Sequence, residues 1–435
     1  MKRRTFVKRL LAGAAGTVSG FQLPFANAAA YDGKLFVFVQ ADGGWDPTSF
    51  CDPKANTPGE KVINHWAENG EIRQVGNLFY ADFANNSRFF EKYYDRMLII
   101  NGVDAQTNSH TVGIVHNWSG RSSEGYPSLT ALLAAHHGPG LSLSYLSFGG
   151  FGFTAGLTPF TRLSRAKLIP NIANPAHGVA GERYLPVHFL LENWGTIKRF
   201  RDANIARVAA TPHLLPRAAR NRRLYRAALS PEATDGLKAY AALIPPNDEL
   251  EQPEKFSSGV NTHESELRRQ AQLAILAFKA KVAVSADLFL GGFDTHANHD
   301  PEHNWLLGNL TDSVDFLWEY AETHGVADRL VVVLGSDFGR TNHYNVDEGK
   351  DHWPIGSVIV MEKNQSWTNR VIGETDALHF AHRINPRTLQ RDDANGTIVY
   401  PKHVHKALRR YLGVEDSLGA QRFPFHNTED FAFFD

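Results

Sequence analysis

Short, largely apolar runs recur along the chain, separated by stretches with helical periodicity. The runs are Leu35 to Val39, Met97 to Ile100, Ala286 to Gly292, Leu330 to Leu334 and Ile355 to Met361. Runs this short and continuous fit strands buried on both faces of a sheet, because a strand with one wet face alternates. Leu267, Ala271, Ala274, Ile275, Phe278 and Val282 repeat at helical spacing. Glu264 and Glu266 fall in the predicted first turn, where negative charge suits the helix dipole. Ser128 to His136 and Lys402 to Leu412 read as helices, and Leu307, Leu310, Val314 and Leu317 mark another. Strand alternating with helix predicts an α/β fold, a mainly parallel sheet covered by helices on both faces.

The character changes between about 150 and 260, where Pro and Gly are frequent. A helical or irregular insertion is expected there, within one domain over 31–435. Within it the run Lys198 to Arg226 holds Lys198, Arg199, Arg201, Arg207, Arg217, Arg220, Arg222, Arg223 and Arg226, against the single acid Asp202. Such a run is a solvated helical face, or a cap that draws anionic substrate toward a site.

Residues 1–30 read as an address. Lys2-Arg3-Arg4-Thr5-Phe6-Val7-Lys8 is a twin-arginine pattern, followed by the apolar stretch Leu10 to Phe25 and the small residues Ala26 to Ala30. The stretch is rich in Gly, Ala and Ser and falls short of the roughly twenty strongly apolar residues that span a bilayer. The expectation is export by the twin-arginine translocation machinery, to the periplasm or an equivalent compartment, with no stable transmembrane span in the mature chain. That route carries folded proteins, which suits a metal or cofactor acquired before export.

Five of the 45 basic residues lie in this segment, so the rest of the chain carries 40 against 46 acids. A mildly acidic protein is a poor nucleic-acid binder. Cys51 is the only cysteine. One cysteine excludes an intramolecular disulfide and a cysteine-ligated iron–sulfur cluster.

Ligands in open α/β sheets bind beyond the carboxyl ends of the strands. Asp42 follows the first run, Asp294 and His296 follow the run ending at Gly292, and Asp337 follows the run ending at Leu334. His352 precedes a strand and can fold back to the same edge. Asp and His ligands in this number suit zinc, manganese or a pair of such ions, and calcium or magnesium if oxygen ligands predominate. Each residue alone has a structural explanation: Asp42 before Gly43 as a turn former, Asp294-Thr295 as a helix cap.

As an ordered set these elements resemble a known pattern. Leu35 to Val39 ending in Asp42-Gly43-Gly44-Trp45 resembles the opening strand of the alkaline phosphatase superfamily, which includes sulfatases and cofactor-independent phosphoglycerate mutases. With Phe293-Asp294-Thr295-His296, Ser336-Asp337-Phe338-Gly339-Arg340-Thr341 and Asp351-His352-Trp353-Pro354, the chain more closely resembles exported, sulfatase-like proteins of unknown function within it. The resemblance spans about 33 to 414. It implies one or two divalent ions and a Ser or Thr nucleophile. Carried over, Asp42 and Asp337 hold the ion next to the nucleophile, and Asp294, His296 and His352 hold the other. Where better-known members have Asp-His, this chain has Asp337-Phe338, so an imidazole is missing unless His343 or His299 replaces it.

For the nucleophile, Thr107-Asn108-Ser109-His110-Thr111 follows the strand at Met97 and leads into a helix carrying His116. It resembles the nucleophile region of the phosphoglycerate mutases. Ser109 is the leading choice, ahead of Thr107 and Thr111, since a hydroxyl at a helix N-terminus beside a metal is acidified. A capping role is the structural alternative. His110 and His116 are close enough in sequence to serve as acid, base or ligand. Arg340 would grip an anionic oxygen in a bidentate manner, or form a salt bridge. His403 and His405 read as surface residues.

The expected function is metal-dependent hydrolysis of a phosphate or sulfate ester on an anionic small molecule or glycan. The alternative is a non-catalytic binding or envelope-assembly protein that keeps the fold and one metal. No Gly-x-Gly-x-x-Gly loop, haem motif or cysteine cluster supports an oxidoreductase.

Overall fold

The computed structural model describes residues 31–163 and 191–435, except 211–214, 216, 217, 220, 221, 223–225, 228, 229, 247 and 260. The expected export signal and part of the basic run therefore lie outside the described residues.

Eight strands form the central sheet: β1 (Leu35–Ala41), β2 (Met97–Asp104), β3 (Tyr145–Ser147), β4 (Thr161–Arg162), β5 (Ser285–Leu290), β6 (Leu330–Ser336), β7 (Ile355–Met361) and β8 (Arg370–Ile372). Their spatial order is β8-β2-β7-β6-β1-β5-β3-β4. All neighbours pair in parallel except β7, which runs antiparallel to both β6 and β2. The sheet is thus mainly parallel, and helices cover both of its faces.

Both faces are dry, and the strands show it with period two. Leu35, Val37 and Val39 of β1 and Leu330, Val332 and Leu334 of β6 pack on one side. There they meet α1 (Asn86–Tyr93), α6 (Leu267–Lys279) and α7 (His299–Thr323). Phe36, Phe38, Val331 and Val333 face the other side. That side is covered by α2 (His110–Ser119), α3 (Leu129–His137) and α8 (Pro401–Tyr411). The connection after β4 holds α4 (Leu191–Ala209), α5 (Pro231–Leu243) and a hairpin of Glu254–Ser257 with Thr262–Ser265. Among the described residues no helix is long and apolar enough to cross a membrane.

Two expectations change. The α6 helix starts at Leu267 with Glu266 at its N-cap, so Glu264 lies in the hairpin and not in the first turn. His403 and His405 are buried, not on the surface. His405 Nε2 lies 2.7 Å from the Asn117 carbonyl, and His403 reaches Glu429 at 2.9 Å. The basic composition of α8 hid this: Lys402, Lys406 and Arg410 are partly exposed, while Arg409 is buried on the same side as His405.

Strand register brings the candidate residues to one edge. Ala41 at the end of β1 is level with Ser336 at the end of β6 and Leu290 at the end of β5. Asp42, Asp337 and the segment carrying Asp294 therefore leave the sheet side by side. Because β7 is antiparallel, its first residue, Ile355, pairs with Asp104 at the end of β2. His352, just before β7, reaches this edge for that reason.

Candidate metal centre

The turn after β1 is made by Gly43 and Gly44, both at positive φ, 114° and 87°. A Cβ on Gly43 would stand 2.4 Å from the Asp294 nitrogen, so glycine is required there. The turn aims both amides at Asp337 Oδ1, at 3.0 and 2.8 Å. The other oxygen, Oδ2, lies 2.6 Å from His110 Nδ1. Asp337 is buried, and every contact it makes fixes something else in place.

Three imidazoles are tied in the same way. His110 Nδ1 donates to Asp337, His296 Nδ1 to Asp351 Oδ1 at 2.7 Å, and His352 Nδ1 to the Asn108 carbonyl at 2.8 Å. Carboxylate and carbonyl oxygens only accept, so each ring carries a proton on Nδ1, and in its neutral form it turns a lone pair outward on Nε2. All three Nε2 atoms converge on Asp294 Oδ1: His296 at 3.0 Å, His352 at 3.1 Å and His110 at 3.3 Å. His296 and His352 Nε2 are 2.9 Å apart. Two facing lone pairs at that distance repel unless a proton or a cation lies between them. Buried His110 Nε2 has no hydrogen-bond partner.

Adjacent donors on a tetrahedral zinc with bonds of about 2.0–2.1 Å lie about 3.3 Å apart. Asp294 Oδ1 stands at about that spacing from each of the three Nε2 atoms, and imidazoles held through the far nitrogen by oxygen acceptors are the usual support of a metal site. The residues present fit a divalent ion. His110, Asp294 and His352 offer ligand atoms all within 4.8 Å of one another.

Asp294 has a half-exposed side chain. Burial pushes its carboxyl up, but the Arg340 hydrogen bond and charge, with His352 and His110, outweigh this and hold it at about 2. Asp42 behaves oppositely: burial, then the Asp337 charge, push it up to about 6 despite His110. Its buried Oδ1 has no partner.

Of the residues singled out in the sequence, the fold gathers Asp294, His296 and His352 directly, with Asp337 and Asp42 beside them. Ser109 is exposed at the N-cap of α2, its hydroxyl making no capping bond. It lies between Asn108, which orients His352, and His110. The structure places two residues elsewhere. His116, 3% exposed, bonds the Ala105 carbonyl at 2.9 Å, and burial depresses it to about 4. It is a core residue of α2, one helical face removed from His110. Arg340 is fully buried, and its guanidinium is spent on the carbonyls of Gly43, Gly44 and Lys350 and on Asp294 at 2.7 Å. That leaves it to position Asp294 rather than to clamp a substrate.

Neither His343 nor His299 takes the missing imidazole's place. His343 bonds its neighbour Asn342, and His299 is buried between Thr295 and Asp46. His110 arrives from α2 instead, its ring 4.8 Å from that of Phe338. Asp351 and the Asn108 carbonyl were not picked out as functional. An acid directly preceding a ligand histidine was the available signal for Asp351; nothing in the sequence marks a backbone carbonyl.

Behind the centre lies a buried polar anchor. Lys350 Nζ, with no solvent exposure, bonds Asp46 Oδ2 at 2.6 Å and Asn64 Oδ1 at 2.9 Å. Burial alone would raise the Asp46 carboxyl, but Lys350 and His299 hold it well below the usual carboxylate range. The Lys350 backbone joins Thr295, between Asp294 and His296, to Arg340.

Comparisons with known proteins add the following. Residues 226–408 match a family described as Protein of unknown function (DUF1501). No curated protein sequence matches the chain. Among solved structures, Ps i-CgsB in complex with k-i-k-neocarrahexaose has a TM-score of 0.40 at 8% identity, over 93% of this chain and 76% of that one. The putative sulfatase yidJ from Bacteroides fragilis has 0.39 at 8%, over 95% and 78%. TAB5 alkaline phosphatase with Mg bound has 0.30 at 9%, over 78% and 95%. Likeness at this level assigns no activity to the chain.

Proposed function

We propose that the protein is an exported, metal-dependent hydrolase of phosphate or sulfate esters. The observation that carries the reading is the convergence of three imidazole Nε2 atoms on Asp294 Oδ1, each ring locked by an oxygen acceptor behind it. The ordered motifs shared with the alkaline phosphatase superfamily support the ester class, and the twin-arginine pattern supports export.

In this reading His110, His296, His352 and Asp294 hold the ion, which supplies Lewis acidity. Asp337, Asp351 and the Asn108 carbonyl keep the rings in register, and Arg340 keeps Asp294 ionised. Ser109 presents its hydroxyl at the N-terminus of α2, where the helix dipole favours developing negative charge. Asp42, uncommitted at Oδ1, takes up the hydroxyl proton. The substrate is an anionic small molecule or a glycan ester.

A second reading has one observation in its favour: Arg340 has no free face for an anion. A non-catalytic protein would keep the ion and turn nothing over. Chromogenic phosphate and sulfate esters, offered to metal-loaded wild type, Asp294→Asn and Ser109→Ala, separate the two. The hydrolase reading expects turnover in wild type, at least 100-fold less in Asp294→Asn, and loss in Ser109→Ala. Equal inactivity of all three with metal bound supports the binding protein.

A further inference from the structure

We infer that the centre holds a single ion, of zinc-like preference for imidazole nitrogen, in a shell of His110, His296, His352 and Asp294, and that Asp337 acts from outside that shell by fixing His110. This rests on the metal-centre part of the proposed function and not on its ester chemistry.

The superfamily resemblance implies places for two ions, the first held by Asp42 and Asp337. In this chain Asp337 is already committed. Its Oδ1 receives the Gly43 and Gly44 amides and its Oδ2 receives His110 Nδ1, with no exposure of the side chain. Turning an oxygen toward an ion would strand two buried amides or release the His110 ring. A stranded buried donor costs about 1–3 kcal/mol.

The neighbouring position offers no donor, because Phe338 stands where an imidazole would. The Phe338 ring instead packs at 4.8 Å from His110 and 4.7 Å from His352. Asp351 is occupied by His296. Of the groups the resemblance assigns to that first ion and its nucleophile, the donors left uncommitted are Asp42 Oδ1 and the Ser109 hydroxyl. Two fall short of the three protein ligands that catalytic zinc sites retain.

The donor set also selects the element. Three neutral imidazoles and one carboxylate suit zinc and its neighbours in the first transition row. Calcium takes six to eight oxygens and is poorly served by three nitrogens.

The test counts ions directly. Metal-free protein is loaded with Zn²⁺ or Co²⁺, freed of excess, and assayed for metal by elemental analysis, alongside Asp337→Asn and His110→Ala. The expected result is one equivalent in wild type. Asp337→Asn should still bind one, with affinity lower by roughly 10–100-fold and a changed Co²⁺ visible spectrum, because an amide nitrogen cannot accept from His110 Nδ1. His110→Ala removes the ligand while leaving Asp337 and its two amide contacts untouched, so it reads the same shell without disturbing the turn; it too should bind more weakly. Two equivalents in wild type, with one lost in Asp337→Asn, overturns the inference, and so does the absence of binding. Two ions with ester turnover would remove this inference and leave the hydrolase. One ion without turnover would do the reverse.

Discussion

At the scale of residues, the centre is built by what stands behind each ligand. His296 points at Asp294 because Asp351 holds its other nitrogen at 2.7 Å. Asp351→Ala should therefore weaken metal binding by roughly 10–100-fold, the usual loss when an outer partner is removed. Asp351 is largely exposed, so the melting temperature of the metal-free protein should move little. An unchanged Kd for Zn²⁺ by competition titration would contradict the role. The gathering of Asp42, Asp294, His296, Asp337 and His352 at one edge was legible, since each follows or precedes an apolar run and strand ends share that edge. His110 was noticed only as a neighbour of Ser109, because its place in the shell depends on how α2 lies across the sheet. Arg340 invited a substrate-binding reading that burial removes: a guanidinium surrounded by carbonyls looks the same in sequence as a free one.

Among elements, the decisive contact is between α2 and the end of β6. Gly113, one turn beyond His110, faces Asp337 so closely that a Cβ would stand 2.6 Å from its carbonyl oxygen and 3.0 Å from its Cβ. Alanine in a helix gains about 1 kcal/mol of propensity over glycine. Against backbone at this distance it must instead push the helix away, and overpacking costs about 1–3 kcal/mol. Gly113→Ala is expected to be destabilised in urea and to lose metal affinity as His110 moves with the helix. A stabilised variant with unchanged affinity would show that α2 does not set the ring. Five of the eight sheet strands were visible as apolar runs; the short β3, β4 and β8 were not, and neither was the order in the sheet. The antiparallel sense of β7, which delivers His352 to the site, follows from pairing between distant segments that no local pattern encodes.

For the whole molecule, four buried histidines shape the response to acid. Burial holds His116, His379 and His403 at about 4 and His405 at about 3, against an unfolded value near 6.5. The unfolded chain therefore binds more protons than the native one below about pH 6.5. Their contribution to stability is complete above that pH and is lost as pH falls toward 4. Each histidine changes stability by on the order of 1.4 kcal/mol per pH unit within the window. Asp42, Asp104 and Asp287, raised by burial, and His65 and His110, raised by their carboxylate partners, oppose the trend, while buried His299 and His303 and the carboxyls of Asp46, Asp294 and Asp351, all lowered, reinforce it. The urea midpoint of protein kept in chelator should fall steadily from pH 7 to pH 4.5, and a constant midpoint would contradict this. The same burial explains why His403 and His405 were misjudged, since helix composition does not say which face meets the sheet.

The claim on which the rest depends is that His110, His296, His352 and Asp294 meet at one ion. Crystals of zinc-loaded protein, measured on both sides of the zinc absorption edge, address it directly. The account predicts one anomalous peak, about 2.0–2.1 Å from the three Nε2 atoms and an Asp294 oxygen. A peak away from these four side chains, a second peak between Asp42 and Asp337, or no peak at all would contradict it.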